Sequence, residues 1–107
     1  MLTHEETALR RISERLHRVY PDEIVAVYAF GSRVRGDHDA WSDFDVLVVV
    51  KGRNTKMERG IIDIFVEEES SAGLSFTPVI KDLSAFEMEK RYHSPFYESL
   101  ITEGVLL

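Results

Sequence analysis

The sequence predicts an α/β (α+β) domain in which a small mixed three-stranded sheet is flanked by helices. Residues 23–30 and 43–50 are rich in β-branched and aromatic side chains and show little polar character on either face, as expected of strands covered on both sides. Apolar residues recur at threes and fours in the segments around them, which is typical of amphipathic helices. A chain of 107 residues can bury one core but cannot hold a catalytic domain plus a substrate domain. We therefore expect a single domain with the element order α-β-α-β-α-β-α-α.

The composition argues against several function classes. The 13 Lys and Arg against 19 Asp and Glu give a net charge of -6, whereas nucleic-acid binding through phosphates needs many basic residues on one face, so direct nucleic-acid binding is not expected. The absence of cysteine excludes disulfides and thiolate zinc sites and fits a reducing compartment. No apolar run approaches the ~20 residues of a membrane span, and the N-terminus is too charged for a signal peptide. We expect a soluble cytoplasmic protein.

The first elements follow from periodicity and connection length. A helix over residues 3–20 presents one apolar face and ends before a proline. The strand over residues 23–30 then runs directly into a Gly-Ser turn. Residues 32–42, which are assigned a short helix, are few for a parallel crossover, so the strands on either side are expected to be antiparallel neighbours. The Gly-Ser turn and the start of the second strand would then share one edge of the sheet.

The second strand, residues 43–50, carries two aspartates at its entrance. Alternation puts Asp43 and Asp45 on one face, followed by apolar residues, and a fully apolar row on the other. At a rise of about 3.3 Å per residue their α-carbons lie roughly 6 to 7 Å apart and the side chains point the same way. The two carboxylates can therefore converge on one or two cations.

The segment after this strand bears on the mechanism. A helix over residues 55–71 is favoured because Thr55 and Glu58 have capping-box spacing, apolar residues follow at helical intervals and a glycine supplies a stop. The alternative is a strand over residues 61–66, which would place Asp63 in the sheet.

The rest of the chain is predicted to hold one strand and two helices. The strand covers residues 74–80, and a helix before it would make a parallel crossover unit with the second strand. Helices are expected over residues 84–92 and 94–104, each begun by a serine cap. Residues 105–107 are expected to pack as a short tail.

The central motif combines donors for an anion with ligands for a hard cation. Gly31 lets the backbone approach a phosphate closely, and Ser32 adds a hydroxyl and a backbone N–H at a turn. Mg²⁺ commonly binds through one or two carboxylates plus substrate phosphates, and Asp43 and Asp45 would supply the carboxylates. A Gly-Ser turn or an Asp-x-Asp strand entrance alone is usually only structural. The two in this order indicate a site for a metal-bound nucleotide.

At these positions the sequence resembles the polymerase-beta-like nucleotidyltransferase superfamily, in particular its minimal, single-domain bacterial and archaeal members. The resemblance extends over the order of the elements and the ending, residues 94–104. The residues that carry it most strongly are Gly31-Ser32, Gly36 and Ser42-Asp43-x-Asp45.

The resemblance implies transfer of a nucleoside monophosphate from a magnesium-bound triphosphate, usually ATP, to an acceptor, with release of pyrophosphate. It implies that Asp43 and Asp45 are catalytic and bind Mg²⁺, and that Gly31, Ser32 and Arg33 contact the nucleotide. From the residues alone, Arg33 can either reach phosphate oxygens or remain a solvated charge. Minimal members are often paired with a small helical HEPN-type partner in toxin–antitoxin modules, and some adenylylate that partner. An antitoxin with a HEPN-type partner is therefore expected, and formation of a homo-oligomer is left open.

One departure from the family pattern keeps alternatives open. Catalytic members generally carry a third carboxylate on a later strand, where it aids deprotonation of the acceptor. The predicted strand over residues 74–80 has no acid, whereas Asp63 becomes the candidate if residues 61–66 form a strand. Three interpretations remain. The chain is an enzyme, a degenerate nucleotide-binding or interaction module that silences a HEPN-type partner by binding, or an acidic structural domain without a ligand.

Overall fold

The structure is a computed structural model that describes residues 3–31 and 43–107. Within these residues the strands form one sheet in the order β3-β2-β1-β4. The strands are β1 (Ile24–Phe30), β2 (Phe44–Val50), β3 (Phe76–Asp82) and β4 (Val105–Leu106). The helices are α1 (Thr3–Val19), α2 (Thr55–Ala72), α3 (Leu83–Arg91) and α4 (Pro95–Glu103).

The central strands pair as the connection lengths predict. β1 and β2 are antiparallel, and the register pairs Phe30 at the end of β1 with Asp45 near the start of β2. β2 and β3 are parallel, and α2 is the crossover between them. The mixed sheet and the predicted strand directions are therefore confirmed.

The sheet has four strands in the described residues, so the prediction of three is wrong. Val105 and Leu106 were expected to belong to a tail, but they pair with Ala29 and Tyr28 as an antiparallel strand. The backbone N–H of Leu107 adds a hydrogen bond of 2.8 Å to the carbonyl of Val27. The physical reason is that the outer edge of β1 presents backbone donors and acceptors that a passing segment can satisfy. The predicted helix between β1 and β2 falls in residues 32–42, outside the described part of the chain.

The two faces of the sheet are covered by different helix pairs, as the alternation in β2 predicts. Val46, Val48 and Val50 are buried in a cluster with α1 and α2. Leu47 and Val49 are buried on the opposite face in a cluster with side chains of α3 and α4. All five side chains have no exposed surface, so the interior of β2 is apolar on both faces and only its entrance carries acids.

Two helix caps and one strand boundary differ from the predictions. The N-cap of α2 is Asn54, whose Oδ1 accepts a hydrogen bond of 2.9 Å from the N–H of Met57, and not Thr55. The N-cap of α3 is Asp82, whose carboxylate accepts a bond of 3.0 Å from the N–H of Ser84, and not Ser84 itself. In both cases a residue before the predicted cap, one position earlier for α2 and two for α3, has the extended backbone that a cap needs. The serine cap of α4 is confirmed.

β3 covers Phe76–Asp82, two residues further along than the predicted strand over 74–80. The pairing with β2 decides this, because Phe44 at the first position of β2 stands opposite Phe76. The favoured helix over residues 55–71 is confirmed as α2, and Asp63 lies exposed on that helix instead of in the sheet. In residues 3–31 and 43–107, none of the helices has the length and apolar character that spanning a membrane requires.

Candidate active site

The two predicted acids lie at the entrance of β2, on the sheet face that α3 and α4 cover. Asp43 precedes the strand and is exposed, whereas Asp45 is half-buried beyond it. Burial raises the pKa of Asp45, and the negative charge of Asp43 raises it further. The two carboxylates are thus close enough to repel one another, in an environment that disfavours the ionised form of Asp45.

Gly31 stands directly against Asp45. It follows the last residue of β1, and the register of the antiparallel pair brings that end of β1 to the start of β2. A Cβ at residue 31 would lie 2.3 Å from Oδ2 of Asp45, far inside contact distance. The backbone of Gly31 also has a φ of +96°, which L-residues rarely adopt. Only glycine therefore allows this corner and this carboxylate to occupy the positions they have.

Thr77 is a site residue that sequence reasoning missed. It stands opposite Asp45 in the parallel pairing of β2 with β3. Its hydroxyl Oγ1 donates a hydrogen bond of 3.2 Å to Oδ2 of Asp43, at an exposed position. The signal that could have found it is the register, since the prediction had β3 two residues too early. The site therefore includes a hydroxyl on β3, beside the two acids.

The other acids of interest lie elsewhere. Asp63 projects from α2 into solvent, so the structure does not bring it to the site. Asp82 is at the far end of β3, where hydrogen bonds from the side chain and backbone of Ser84 lower its pKa. The residue of β3 opposite Asp45 is Thr77, which has a hydroxyl and no carboxylate. Ser32 and Arg33 lie outside the described residues.

A cleft of about 430 Å³ adjoins the corner on the side of β1 that faces α4. Phe30 and Gly31 form one wall, and one face of α4 forms the other. The rings of Phe30 and Phe96 meet edge to face with their centroids 5.5 Å apart. Ser99 and Glu103, one helical turn apart on α4, add polar groups to this mostly apolar lining. Gly31 thus lies against Asp45 and also contributes to the lining of the cleft.

A family profile described as the nucleotidyltransferase domain matches residues 9–102, which is most of the chain. The chain belongs to the nucleotidyltransferase domain family. No curated protein sequence matches this nucleotidyltransferase domain.

Solved structures resemble the nucleotidyltransferase domain over nearly its whole length. A toxin–antitoxin crystallised with AMP-PNP is 17% identical, with 98% of this chain and 72% of that one covered and a TM-score of 0.58. A mutant of the toxin–antitoxin MntA-HpeT is 18% identical, with 92% and 70% covered and a TM-score of 0.56. A Sulfolobus solfataricus protein assigned as a nucleotidyltransferase is 24% identical, with 99% and 86% covered and a TM-score of 0.48. The first two share the fold of this domain.

The donor set of this nucleotidyltransferase domain fits a divalent cation that arrives with its substrate. No group of three or more His, Cys, Asp or Glu that could hold a metal occurs in the described residues. Mg²⁺ does not need such a group, because it commonly uses one or two carboxylates and takes its other ligands from phosphates and water. A bound cation would also favour the ionised form of Asp45, which burial and Asp43 disfavour. Asp43 and Asp45 are the residues that could hold it.

Proposed function

We propose that this chain is a magnesium-dependent nucleotidyltransferase that moves a nucleoside monophosphate, AMP from ATP, to an acceptor. The observation that carries the proposal is the contact of Gly31 with Asp45, where a Cβ would come within 2.3 Å of the carboxylate. It puts a glycine backbone, which a phosphate can approach closely, beside the half-buried acid and its neighbour Asp43. Membership of the nucleotidyltransferase domain family supports the same reaction class.

Positioning and charge would supply most of the catalysis. Asp43 and Asp45 would hold the cation, which when bound neutralises charge that develops on the triphosphate. The acceptor hydroxyl oxygen bonds to the α-phosphorus while the bond from that phosphorus to the bridging oxygen breaks, and the electron pair leaves with pyrophosphate. Thr77 keeps Oδ2 of Asp43 in place through its hydrogen bond of 3.2 Å. Because a threonine hydroxyl is a poor base, the acceptor proton passes to water or to a base on the acceptor.

The acceptor is proposed to be a HEPN-type helical partner, with this chain acting as a cytoplasmic antitoxin. Two structures that share the fold are toxin–antitoxins, and one of them was crystallised with the ATP analogue AMP-PNP. The minimal nucleotidyltransferases that the sequence resembles are often paired with such partners.

A second candidate is a nucleotide-binding or interaction module that silences its partner by binding alone. Thr77 favours it, because this residue stands opposite Asp45 where the chain offers a hydroxyl and no carboxylate. Without a carboxylate base on β3 opposite Asp45, nucleotidyl transfer would lose one of its contributions to rate. Binding of a nucleotide or of a partner would not depend on that base.

Transfer from ATP labelled at its α-phosphorus to a HEPN-type helical protein, sought in the neighbouring reading frame, separates the two candidates. Replacement of Asp43 and Asp45 together by Asn should abolish labelling and leave the circular dichroism spectrum unchanged. Asp63→Asn is the matched control, since it removes one exposed carboxylate from α2 and should transfer label normally.

The outcomes differ in which candidate they support. Labelling that depends on Asp43 and Asp45 supports the enzyme. Silencing of the partner that survives the double replacement, without labelling by the wild type, supports the binding module. Labelling that the double replacement leaves intact would contradict the proposed roles of both acids.

A further inference from the structure

Thr77 presents a hydroxyl directly to one of the proposed cation-binding acids. Its Oγ1 donates a hydrogen bond of 3.2 Å to Oδ2 of Asp43, and the residue is exposed. We propose that Thr77 is itself an acceptor, so that the domain transfers AMP from ATP to its own Thr77 when no partner protein occupies the site. This inference rests on the proposed function, because a hydroxyl without transfer chemistry beside it would stay unmodified.

The register of β3 puts Thr77 on the same side of the sheet as Asp45. The two residues stand opposite each other in the parallel pairing of β2 with β3. Val79, two residues further along β3, packs with Leu47 in the cluster that α3 and α4 cover, and side chains two apart on a strand share a face. The Thr77 hydroxyl and the acids therefore lie on one face of the sheet, at the entrance of β2.

The position of Thr77 leaves its hydroxyl accessible to a substrate. In the described residues, β3 is the outer strand on its side of the sheet. Pro78, next along the strand, has no backbone N–H to donate to a further strand, which suits an edge. Because Thr77 is exposed, a phosphate held at Asp43 and Asp45 can approach its hydroxyl without displacing a packed side chain.

The hydrogen bond to Asp43 keeps the hydroxyl close to any phosphate that shares a cation with this acid. Mg²⁺ commonly binds one or two carboxylates together with substrate phosphates. Oγ1 of Thr77 would then be separated from such a phosphate by one hydrogen bond and two coordination bonds. A nucleophile held this close reacts as part of the same complex, which removes the entropy cost of bringing a second molecule to the phosphate.

The transfer step balances with ATP as its co-reactant. Oγ1 of Thr77 bonds to the α-phosphorus while the bond from that phosphorus to the bridging oxygen breaks, and the electron pair leaves with pyrophosphate. The hydroxyl proton passes to water, which the exposed position of Thr77 admits. The product is a phosphodiester that joins AMP to Thr77. It adds a negative charge beside Asp43, so a further magnesium-bound triphosphate should bind more weakly.

Incubation of the purified domain with magnesium and ATP labelled at its α-phosphorus, without a partner protein, tests the inference. The intact mass should increase by one adenylyl group per chain, and peptide mass spectrometry should locate this group on Thr77. Thr77→Val keeps a β-branched side chain on the strand and should lose the label, whereas Thr77→Ser keeps a hydroxyl and should retain it. Thr102→Val removes an exposed threonine from α4 and is the matched control, which should be labelled as wild type is.

Two further measurements separate an acceptor from a residue that only positions Asp43. An affinity-tagged chain with Asp43→Asn and Asp45→Asn, mixed with untagged wild type, should stay unlabelled because transfer occurs within one chain. Calorimetric titration should show that the modified wild type binds magnesium and ATP at least about fivefold more weakly than the unmodified protein, the effect of one added like charge at close range in water.

The outcomes distinguish failure of the inference from failure of the proposed function. Label on another residue such as Ser75, label that Thr77→Val retains, or label on the tagged chain overturns transfer to the chain's own Thr77 and leaves the proposed function standing. An unlabelled domain that nevertheless labels the HEPN-type protein has the same meaning. Absence of label from both proteins overturns the inference and the proposed transfer together. If Thr77→Val does not fold by circular dichroism, the location of the adenylyl group in wild-type peptides decides alone.

Discussion

Replacement of Gly31 by Ala should damage both stability and nucleotide binding, for reasons that can be separated. At a φ of +96° an alanine is strained, and such backbone strain costs about 1–3 kcal/mol. The new methyl group would also lie 2.3 Å from Oδ2 of Asp45, so the carboxylate must leave its present position. Moving a side chain off its preferred rotamer costs about 0.5–1.5 kcal/mol. The total of about 1.5–4.5 kcal/mol predicts a fall in the unfolding temperature of about 6 °C or more for a domain of this size.

Gly52→Ala is the matched control for the backbone contribution. Gly52 has a φ of +66°, and a Cβ there would meet nothing within 4 Å. This variant should therefore lose stability through backbone conformation alone and should bind magnesium and ATP normally. Gly31→Ala should lose more stability than Gly52→Ala, and its affinity for magnesium and ATP should fall, because the methyl group blocks the corner and displaces an acid.

A double-mutant cycle isolates the contact with Asp45. In an Asp45→Ala background, the methyl group at residue 31 has no carboxylate to displace, so Gly31→Ala should cost less than it does in wild type. Thermal and urea unfolding followed by circular dichroism measure the stability, and calorimetric titration measures nucleotide affinity. Additive effects of the two substitutions, together with unchanged affinity in Gly31→Ala, would refute the reasoning about this corner.

Three further predictions concern the acid, a cap and a tight contact. Asp45→Asn should raise the unfolding temperature at neutral pH, because a raised pKa in the folded state means that ionisation of Asp45 costs stability. The gain in unfolding temperature should shrink as the pH falls through the raised pKa of folded Asp45 towards the ordinary pKa of an aspartate. A lower unfolding temperature of Asp45→Asn at neutral pH would contradict this prediction. Asn54→Ala should remove the hydrogen bond that the N-cap side chain accepts from the N–H of Met57. The free energy of unfolding should fall by about 1 kcal/mol and the unfolding temperature by about 4–8 °C, whereas no change would mean that Asn54 does not cap α2. Gly104→Ala should destabilise the domain more than Asn54→Ala does, because its Cβ would lie 2.4 Å from the carbonyl oxygen of Leu100, and equal melting of Gly104→Ala and wild type would show that the chain end shifts freely.

The strand directions were predictable because they depend on local pattern and connection length. β2 is apolar on both faces after its aspartates, and this alone indicates cover from both sides. The spacing of apolar residues between β2 and β3 identified α2 correctly, and with it the parallel crossover. β4 could not be predicted in the same way. Two residues have no measurable periodicity, and they form a strand only because the edge of β1 is next to them.

The candidate site was predictable only in part, for a related reason. An antiparallel pair must bring the end of β1 to the start of β2, so the sequence alone put Gly31 near Asp43 and Asp45. Thr77 depends on the register between β2 and β3, and an error of two residues in β3 hid it. The cleft beside Phe30 arises from the packing of α4 against β1, for which the linear sequence has no signal.

The energetics of the corner argue for a ligand more strongly than the motif does. A half-buried carboxylate with a raised pKa, at residue 45, lies against a glycine with a φ of +96°, at residue 31. The raised pKa means that ionisation of Asp45 costs folding free energy, and the single substitution Asp45→Asn would remove that cost. Unfavourable ionisation of an acid tends to occur where a site is organised for function, since a bound cation then offsets its cost. A purely structural acidic domain would gain stability from losing it. The stability of Asp45→Asn relative to wild type, with and without magnesium and ATP, therefore measures how much of this cost the ligand offsets.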